Sequence, residues 1–126
     1  MELREGIGEH LFGCDDCQTV CPFNASRKRP GLRTGLFEPH ERWASTELID
    51  LLSLTSEQWD PFREGSPIGR ATREGLARNA AMVLGNRKDR KARPALANAA
   101  THHDSPEVRE AAQWALQQID HDVREE

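Results

Sequence analysis

The fold is decided by the stretch Leu76-Ala77-Arg78-Asn79-Ala80-Ala81-Met82-Val83-Leu84-Gly85. Its apolar residues recur at helical spacing, so they share one face of an α-helix. The residues of this face are Leu76, Ala80, Val83 and Leu84. Ser66 as the N-cap and Pro67 at the first helical position predict where the helix starts, and Gly85 predicts where it stops. The pattern therefore predicts a long helix that runs to residue 84.

A second copy of this pattern follows along the chain. Arg78-Asn79-Ala80-Ala81 aligns with Arg109-Glu110-Ala111-Ala112 at an offset of 31 residues. Paired small residues allow two helices to approach closely, as stacked two-helix repeats require. The unit resembles a short HEAT repeat, although the usual period of that repeat is about 40 to 47 residues. Such stacks expose a concave surface and serve binding more often than chemistry.

Helix signals also flank the repeat. Ser45 is predicted to cap a segment that carries an apolar face of leucines. Thr55 and Gln58 form the capping box of a short helix that Pro61 and a following glycine should end. Two more helices are predicted from about residue 90 to 101 and from Ser105-Pro106 to about residue 121.

All three cysteines lie in Gly13-Cys14-Asp15-Asp16-Cys17-Gln18-Thr19-Val20-Cys21-Pro22, with the spacing C-x2-C-x3-C-P. A bacterial ferredoxin run is C-x2-C-x2-C-x3-C-P, and Leu11 stands where its first cysteine would be. Short spacers let thiolates converge on iron, and the proline turns the chain away after the last ligand. The cysteine before proline ligates a second cluster in such runs. This rule assigns Cys14 and Cys17 to one iron–sulfur cluster and Cys21 to another.

Two other arrangements of these thiols stay open. A zinc site with His10 would read H-x3-C-x2-C-x3-C, although structural zinc usually takes two paired knuckles. A disulfide or a redox pair of Cys14 and Cys17 lacks the flanking βαβ pattern. The proline after the third cysteine favours iron–sulfur ligation.

The same stretches resemble a known family. Gly13–Gln18 and Val20–Asn24 are similar to the second cluster motif of epoxyqueuosine reductase, a tRNA-modifying enzyme. Gly65–Arg70 and Leu76–Asn86 are similar to the signature ahead of and inside its helical repeats. The resemblance spans nearly the whole chain, with Phe23 where the family usually has tryptophan.

This resemblance implies an oxidoreductase that reduces epoxyqueuosine to queuosine at the wobble position of tRNA, using cobalamin and two 4Fe-4S clusters. Cys14, Cys17 and Cys21 would be cluster ligands, and the repeats would hold the tRNA. The family's cobalamin-binding region, catalytic acid and first cysteine run should all precede Met1. We therefore expect dependence on an N-terminal catalytic region and no activity of this chain alone. The alternative function is a HEAT-like binding module with a zinc-filled or vestigial cysteine knuckle and no catalysis of its own.

Charge is segregated along the chain. The net charge is −4, yet residues 63–93 carry nine basic and three acidic groups between acidic segments. Such segregation predicts a polyanionic partner, which the resemblance identifies as tRNA. The expected RNA-binding residues are Arg70, Arg73, Arg78, Arg87 and Lys88, and Arg90 and Lys91 extend the basic field. Arg70 and Arg78 are predicted on one side of the same helix, about 80° and about 12 Å apart.

Composition sets the outer bounds. With 37% hydrophobic and 30% charged residues the chain is typical of globular domains. No apolar run approaches a membrane span, so we expect no membrane contact. Free thiols arranged as ligands predict the cytoplasm. We expect a monomer with a partial ferredoxin-type segment (1–26), a basic linker (27–44) and an all-α HEAT-like domain (45–126).

Catalytic side chains are not predicted in this chain. His102-His103-Asp104 resembles an acid–base or metal cluster in sequence, but it falls where a loop joins two repeat helices. We therefore interpret it as a polar turn. A phosphate-binding glycine loop, a nucleophile elbow and paired catalytic carboxylates are all absent from the sequence.

Overall fold

The computed structural model describes residues 3–24 and 41–125. The chain divides into two compact units, one containing residues 1–12 and 46–126 and the other containing residues 13–45. The predicted linker at 27–44 lies mostly outside the described residues, so the predicted three-part division stays a prediction.

The described residues are helical and contain no strand, which confirms the all-α prediction. The α-helices are α1 (Leu3–Ile7), α2 (Asp16–Thr19), α3 (Glu41–Ala44), α4 (Leu48–Ser53), α5 (Ser56–Arg63), α6 (Arg73–Asn86), α7 (Arg93–His102) and α8 (Pro106–Glu125). Two 3₁₀ turns, Pro67–Arg70 and Arg90–Ala92, precede α6 and α7. Within 3–24 and 41–125, every helix is too short or too polar to cross a membrane.

The predicted long helix is interrupted near its start. Ser66 caps only the 3₁₀ turn Pro67–Arg70, where its hydroxyl accepts from the Ile68 N–H. The chain is then extended, and Thr72 caps α6 by accepting from the Gly75 N–H at 2.9 Å. The prediction that residue 70 and residue 78 share one helix is therefore wrong, because residue 70 lies in the turn and only residue 78 lies in α6.

Gly85 lies inside α6 and does not end it, which corrects the predicted stop. A Cβ on Gly85 would lie 2.7 Å from Cζ3 of Trp114 and 2.9 Å from Cα of Ala115. Glycine at this position therefore lets α6 pack closely on α8. The predicted buried face of α6 is confirmed, since all four of its residues are buried.

The core of the helical unit is centred on α6, which packs against α8, α4 and α1, while α7 packs against α8 and α4. The two alanine pairs of the repeat, one in α6 and one in α8, are fully buried. These residues are Ala80, Ala81, Ala111 and Ala112. Leu76, Leu96 and Ile119 fill the space around them, and burying each such side chain contributes about 1.5–3 kcal/mol.

Two amide side chains of α6 hold the N-terminal segment against it. Asn79 donates through Nδ2 to the carbonyl of Leu11 at 2.8 Å. Asn86, two turns further on, donates to the carbonyls of Arg4 at 3.0 Å and Gly8 at 2.8 Å. The bond to Arg4 satisfies a carbonyl near the end of α1, and the other two satisfy carbonyls of the chain that follows it.

Capping and stop signals in the sequence predicted the ends of the shorter helices only in part. The capping box of Thr55 and Gln58 is confirmed at the start of α5. The predicted cap of α4 is wrong, because Glu47 takes that position and Ser45 instead donates to the carbonyl of Glu41. Pro61 lies within α5 and does not end it.

Candidate nucleic-acid interface

Folding neutralises most of the basic stretch at 63–93. Six of its nine cations form ion pairs with carboxylates of the helical unit. The pairs are Arg63–Asp60, Arg73–Asp104, Arg87–Glu9, Lys88–Asp122, Arg90–Asp122 and Arg93–Asp120. Carboxylates of the acidic C-terminal segment therefore neutralise several cations that the sequence pattern had assigned to an external polyanion.

Three cations of this stretch remain without a carboxylate partner among residues 3–24 and 41–125. They are Arg70 in the 3₁₀ turn, Arg78 in α6 and Lys91 in the second 3₁₀ turn. All three are exposed. Exposed cations without a carboxylate partner keep their full charge for an external anion, so these residues are the strongest candidates for phosphate contacts.

Arg78 is held in position by its neighbour in α6. Its Nε and Nη2 donate to Oδ1 of Asn79 at 3.2 and 3.0 Å. Asn79 is itself fixed by its bond to the carbonyl of Leu11. Arg78 also faces Glu107 closely enough to contribute to that carboxyl's lowered pKa, for which the hydrogen bond from Ser105 is the largest cause. The guanidinium of Arg78 is therefore oriented without being neutralised.

Arg70 lies beside a shallow depression between α5 and the first 3₁₀ turn. The nearest basic neighbour in that depression is Arg63, whose guanidinium is 2.8 Å from Asp60. Arg70 makes no such pair within the described part of the chain. The depression therefore carries one cation that is available to a ligand.

Arg87 and Lys88 are exposed but paired. The hydrogen bond and then the charge of Arg87 lower the pKa of Glu9, and the hydrogen bond from Lys88 is the largest cause of the lowered pKa of Asp122. Exposed pairs of this kind contribute little to stability, because water and salt screen the two charges. A phosphate can replace either carboxylate at small cost, so both residues stay candidates for phosphate contacts, after the three unpaired cations.

Arg73 is not accessible to an external anion, because its side chain is only 7% exposed. Its Nη1 donates to the carbonyl of Leu54 at 3.0 Å, and its Nη2 donates to Glu74 at 2.9 Å and to Asp104. These internal partners engage both terminal nitrogens of the guanidinium. We therefore leave Arg73 out of the candidate interface, contrary to the sequence-based expectation.

The polar turn between α7 and α8 lies where it was expected, since α7 ends at His102 and α8 begins at Pro106. Within it Asp104 is exposed, but the side chain of His103 is only 6% exposed. Its Nδ1 lies 3.0 Å from Oδ1 of Asp104. Sequence gave little sign of this burial, because a histidine between polar residues is typical of exposed turns.

The cysteine segment belongs to the smaller unit, and its three thiols are free. Cys14 and Cys17 are exposed and Cys21 is half-buried, and Cys17 lies in the single turn α2. Among the described residues no three side chains of the metal-binding types converge on one point. The thiols suit iron, but three thiolates are one short of a cubane's four, so the chain alone does not fit a complete cluster.

Comparison with known proteins identifies relatives over most of the chain. The epoxyqueuosine reductase of Pseudomonas aeruginosa is 39% identical over 116 residues, which are 92% of this chain and 32% of that protein. The epoxyqueuosine reductase of Xanthomonas campestris is 38% identical over 93% of the chain, and that of Lactococcus garvieae is 32% identical over 98%. The chain is homologous to part of the epoxyqueuosine reductases. It spans about a third of their length.

The helical part has a relationship of its own. Residues 70–125 match the family of HEAT repeats, which confirms the repeat predicted from the alanine pairs. The match begins at Arg70, the last residue of the first 3₁₀ turn, and includes α6, α7 and α8. No solved structure matches the chain. The candidate cations Arg70, Arg78 and Lys91 all lie within the repeat match of this epoxyqueuosine reductase homologue.

Proposed function

We propose that this chain is the C-terminal part of a cytoplasmic, monomeric epoxyqueuosine reductase, which reduces epoxyqueuosine to queuosine at the tRNA wobble position. The observation that carries this proposal is that proteins named epoxyqueuosine reductase match 92% or more of the chain at 32–39% identity. The role of this part is to bind tRNA and to supply iron–sulfur ligands. The rest of the enzyme supplies the reacting site.

The tRNA surface proposed here is centred on Arg78 and Arg70. Both are exposed, and neither has a carboxylate partner among the described residues of the helical unit. Double-stranded RNA is recognised mainly by its shape and by contacts to phosphate and 2′-hydroxyl groups, which suits isolated guanidinium groups on a rigid helical stack. Lys91, Arg87 and Lys88 are proposed as further phosphate contacts.

Cys14, Cys17 and Cys21 are proposed as thiolate ligands of 4Fe-4S clusters. Thiolates are the protein ligands that such clusters take, and these three thiols are not used in disulfides. Their number requires that further cysteines come from outside this chain. Cobalamin is likewise assigned to the rest of the enzyme, and a bound cluster would supply electron transfer.

A direct test measures the affinity of the purified chain for labelled tRNA at one salt concentration. Arg70→Ala and Arg78→Ala should each weaken binding about fivefold, because each removes one charge-assisted contact worth about 1 kcal/mol. Arg93→Ala is the matched control, since Arg93 is exposed but paired with Asp120 at 3.0 Å. Equal losses in all three variants would instead indicate non-specific attraction.

A further inference from the structure

Asn79 in α6 bonds to two groups at once. Its Nδ2 donates to the carbonyl of Leu11 at 2.8 Å, and its Oδ1 accepts from Nε and Nη2 of Arg78 at 3.2 and 3.0 Å. Leu11 lies 68 residues earlier in the chain, whereas Arg78 is the preceding residue. One amide therefore connects an exposed arginine of the proposed RNA surface to the backbone of the N-terminal segment.

The bond to Leu11 determines which way the amide of Asn79 points. A backbone carbonyl can only accept hydrogen bonds, so it faces the NH₂ group of the amide, and the amide oxygen is left for the guanidinium, which can only donate. Asn79 is half-buried, and Leu11 packs against the core. The direction of the amide is thus set by a long-range contact of the folded unit and does not depend on the arginine.

The bond to Asn79 determines which edge of the Arg78 guanidinium stays open. An arginine has five N–H donors, one on Nε and two on each terminal nitrogen. Oδ1 of Asn79 takes the side edge, which is formed by Nε and one donor of Nη2. The end edge, formed by one donor of Nη1 and one of Nη2, makes no hydrogen bond to the described residues. This edge is a planar fork that can bind two phosphate oxygens at once.

A nearby carboxylate does not close this edge. The hydrogen bond from Ser105 is the largest cause of the lowered pKa of Glu107, and the charge of Arg78 is a smaller one. Oε2 of Glu107 accepts from the Ser105 hydroxyl at 2.6 Å, and no ion pair joins Glu107 to Arg78 in the part of the chain that the structure describes. Glu107 therefore adds negative charge near Arg78 but leaves its open edge to an external group.

An arginine that is oriented before binding loses less freedom when an anion arrives. Arginine side chains are long and have many rotamers, and immobilising such a side chain at an interface weakens binding by a factor of about two to ten. Asn79 already restricts the guanidinium of Arg78 through two of its donors. Without its amide partner the same arginine would bind a phosphate more weakly while it kept its charge.

We propose that Asn79 is a positioning residue for RNA recognition, which presents the end edge of the Arg78 guanidinium to a backbone phosphate of tRNA. The inference rests on the proposed function, because it adds the residue that orients an RNA contact. It also gives the N-terminal segment an indirect role, since the Leu11 carbonyl sets the direction of the amide. Asn79 acts on the RNA only through Arg78.

The test is a double-mutant cycle on the affinity of the full 126-residue chain for labelled tRNA. Asn79→Ala should weaken binding about threefold in the natural chain. It should have no further effect in the Arg78→Ala background, because the group that it orients is absent there. Asn79→Ala should also leave the slope of log affinity against log salt unchanged, since Arg78 keeps its charge. A general loss of structure would not produce this combination.

Asn86→Ala is the matched control. Asn86 also lies in α6 and holds the N-terminal segment, through the carbonyls of Arg4 and Gly8, but its bonds do not involve Arg78. Asn86→Ala should therefore lower the midpoint of thermal unfolding as Asn79→Ala does, and it should leave tRNA affinity unchanged. Loss of tRNA affinity in both variants would overturn the inference, because the N-terminal segment and not Arg78 would then be responsible.

Asn79→Asp gives an independent measurement. An aspartate cannot donate to the Leu11 carbonyl, and its carboxylate would pair with the guanidinium of Arg78. Affinity should therefore fall, and the salt slope should fall by about 1, as in Arg78→Ala. An unchanged slope in Asn79→Asp would contradict the inference, because the two side chains would then not be in contact.

The cycle separates this inference from the proposed function. If Arg78→Ala weakens tRNA binding and Asn79→Ala does not, the positioning role fails and the RNA surface stands. Equal losses from Asn79→Ala in both backgrounds would also overturn the positioning role, because Asn79 would then act independently of Arg78. If Arg78→Ala itself has no effect, the RNA contact of Arg78 fails, and Asn79 has no contact to position.

Discussion

Arg73 donates a hydrogen bond to Asp104, which lies 31 residues further along the chain. The same guanidinium donates to the carbonyl of Leu54 at 3.0 Å. One side chain therefore joins the turn after α4, the first residue of α6 and the loop before α8. A residue that the charge pattern assigned to RNA is a structural link between successive helices of the repeat.

Arg73→Ala should lower the free energy of unfolding by about 2–3 kcal/mol, because it leaves a backbone carbonyl without its donor and a carboxylate without its cation. Urea denaturation measures this. Arg63→Ala is the matched control: it removes an exposed pair with Asp60 and should cost less than about 1 kcal/mol. Similar small losses for both variants would show that the buried link contributes little.

Gly85→Ala should destabilise the helical unit by about 1–3 kcal/mol. The added Cβ would overlap Trp114 and the backbone of Ala115, at 2.7 and 2.9 Å, and the backbone cannot move aside locally. Gly6→Ala in α1 is the control, since a Cβ there meets nothing within 4 Å and alanine favours a helix. Thermal unfolding should show opposite directions for the two changes, and a neutral Gly85→Ala would contradict the close packing of α6 on α8.

Stability should fall as the pH drops from about 7 through the range in which histidine in the unfolded chain takes up a proton. Burial is the largest cause of the lowered pKa of His103 in the folded state; Arg73 and Arg109 act in the same direction, while Asp104 and Glu74 oppose them. The unfolded chain therefore binds the proton first, and protonation favours unfolding. Urea titrations at pH 7 and near pH 5.5 measure the loss.

The control for this pH dependence is His103→Phe, which removes the titrating group and keeps an aromatic ring. That variant should lose less stability between the two pH values than the natural chain does. Carboxylates with lowered pKa, such as Asp122, contribute their own loss only at lower pH. An unchanged pH dependence in His103→Phe would contradict the assignment.

Helix content and the buried face of α6 were predictable from sequence. Apolar residues at helical spacing and paired alanines place small and apolar side chains on one face of a helix, and that face packs into the core. The break before α6 was also marked locally, since Thr72 is a good N-cap followed by an acidic residue in the first turn. The role of Gly85 was not predictable in this way. A glycine near a helix end signals a stop or close packing equally well until its partner, Trp114, is known.

Site residues were harder to predict for the same reason. The sequence shows where charges lie along the chain but not which ones meet after folding. Lys88 pairs with Asp122 across 34 residues, and Arg93 pairs with Asp120 across 27. The burial of His103, whose side chain is 6% exposed, likewise follows from the folded unit and not from its polar sequence neighbours. Only the folded helical unit distinguishes Arg78, which is exposed and unneutralised, from Arg73.

Anaerobic reconstitution of this chain with iron and sulfide should yield less than one four-iron cluster per chain, because three cysteines are available and a cubane takes four thiolates. Iron and sulfide analysis after desalting measures the yield. The control is the variant in which Cys14, Cys17 and Cys21 are all replaced by serine, which should bind still less iron. One stable four-iron cluster per monomer would refute the assignment of these thiols to two clusters.

The most direct test of the RNA-binding account is the salt dependence of tRNA affinity for the natural chain and its variants. Arg70→Ala and Arg78→Ala should each reduce the slope of log affinity against log salt by about 1, since each removes one phosphate contact. Arg109→Ala, the repeat partner of Arg78, should leave the slope unchanged because its guanidinium donates to the carbonyls of His103 and Asp104. An unchanged slope for both Arg70→Ala and Arg78→Ala would show that these arginines form only a solvated surface.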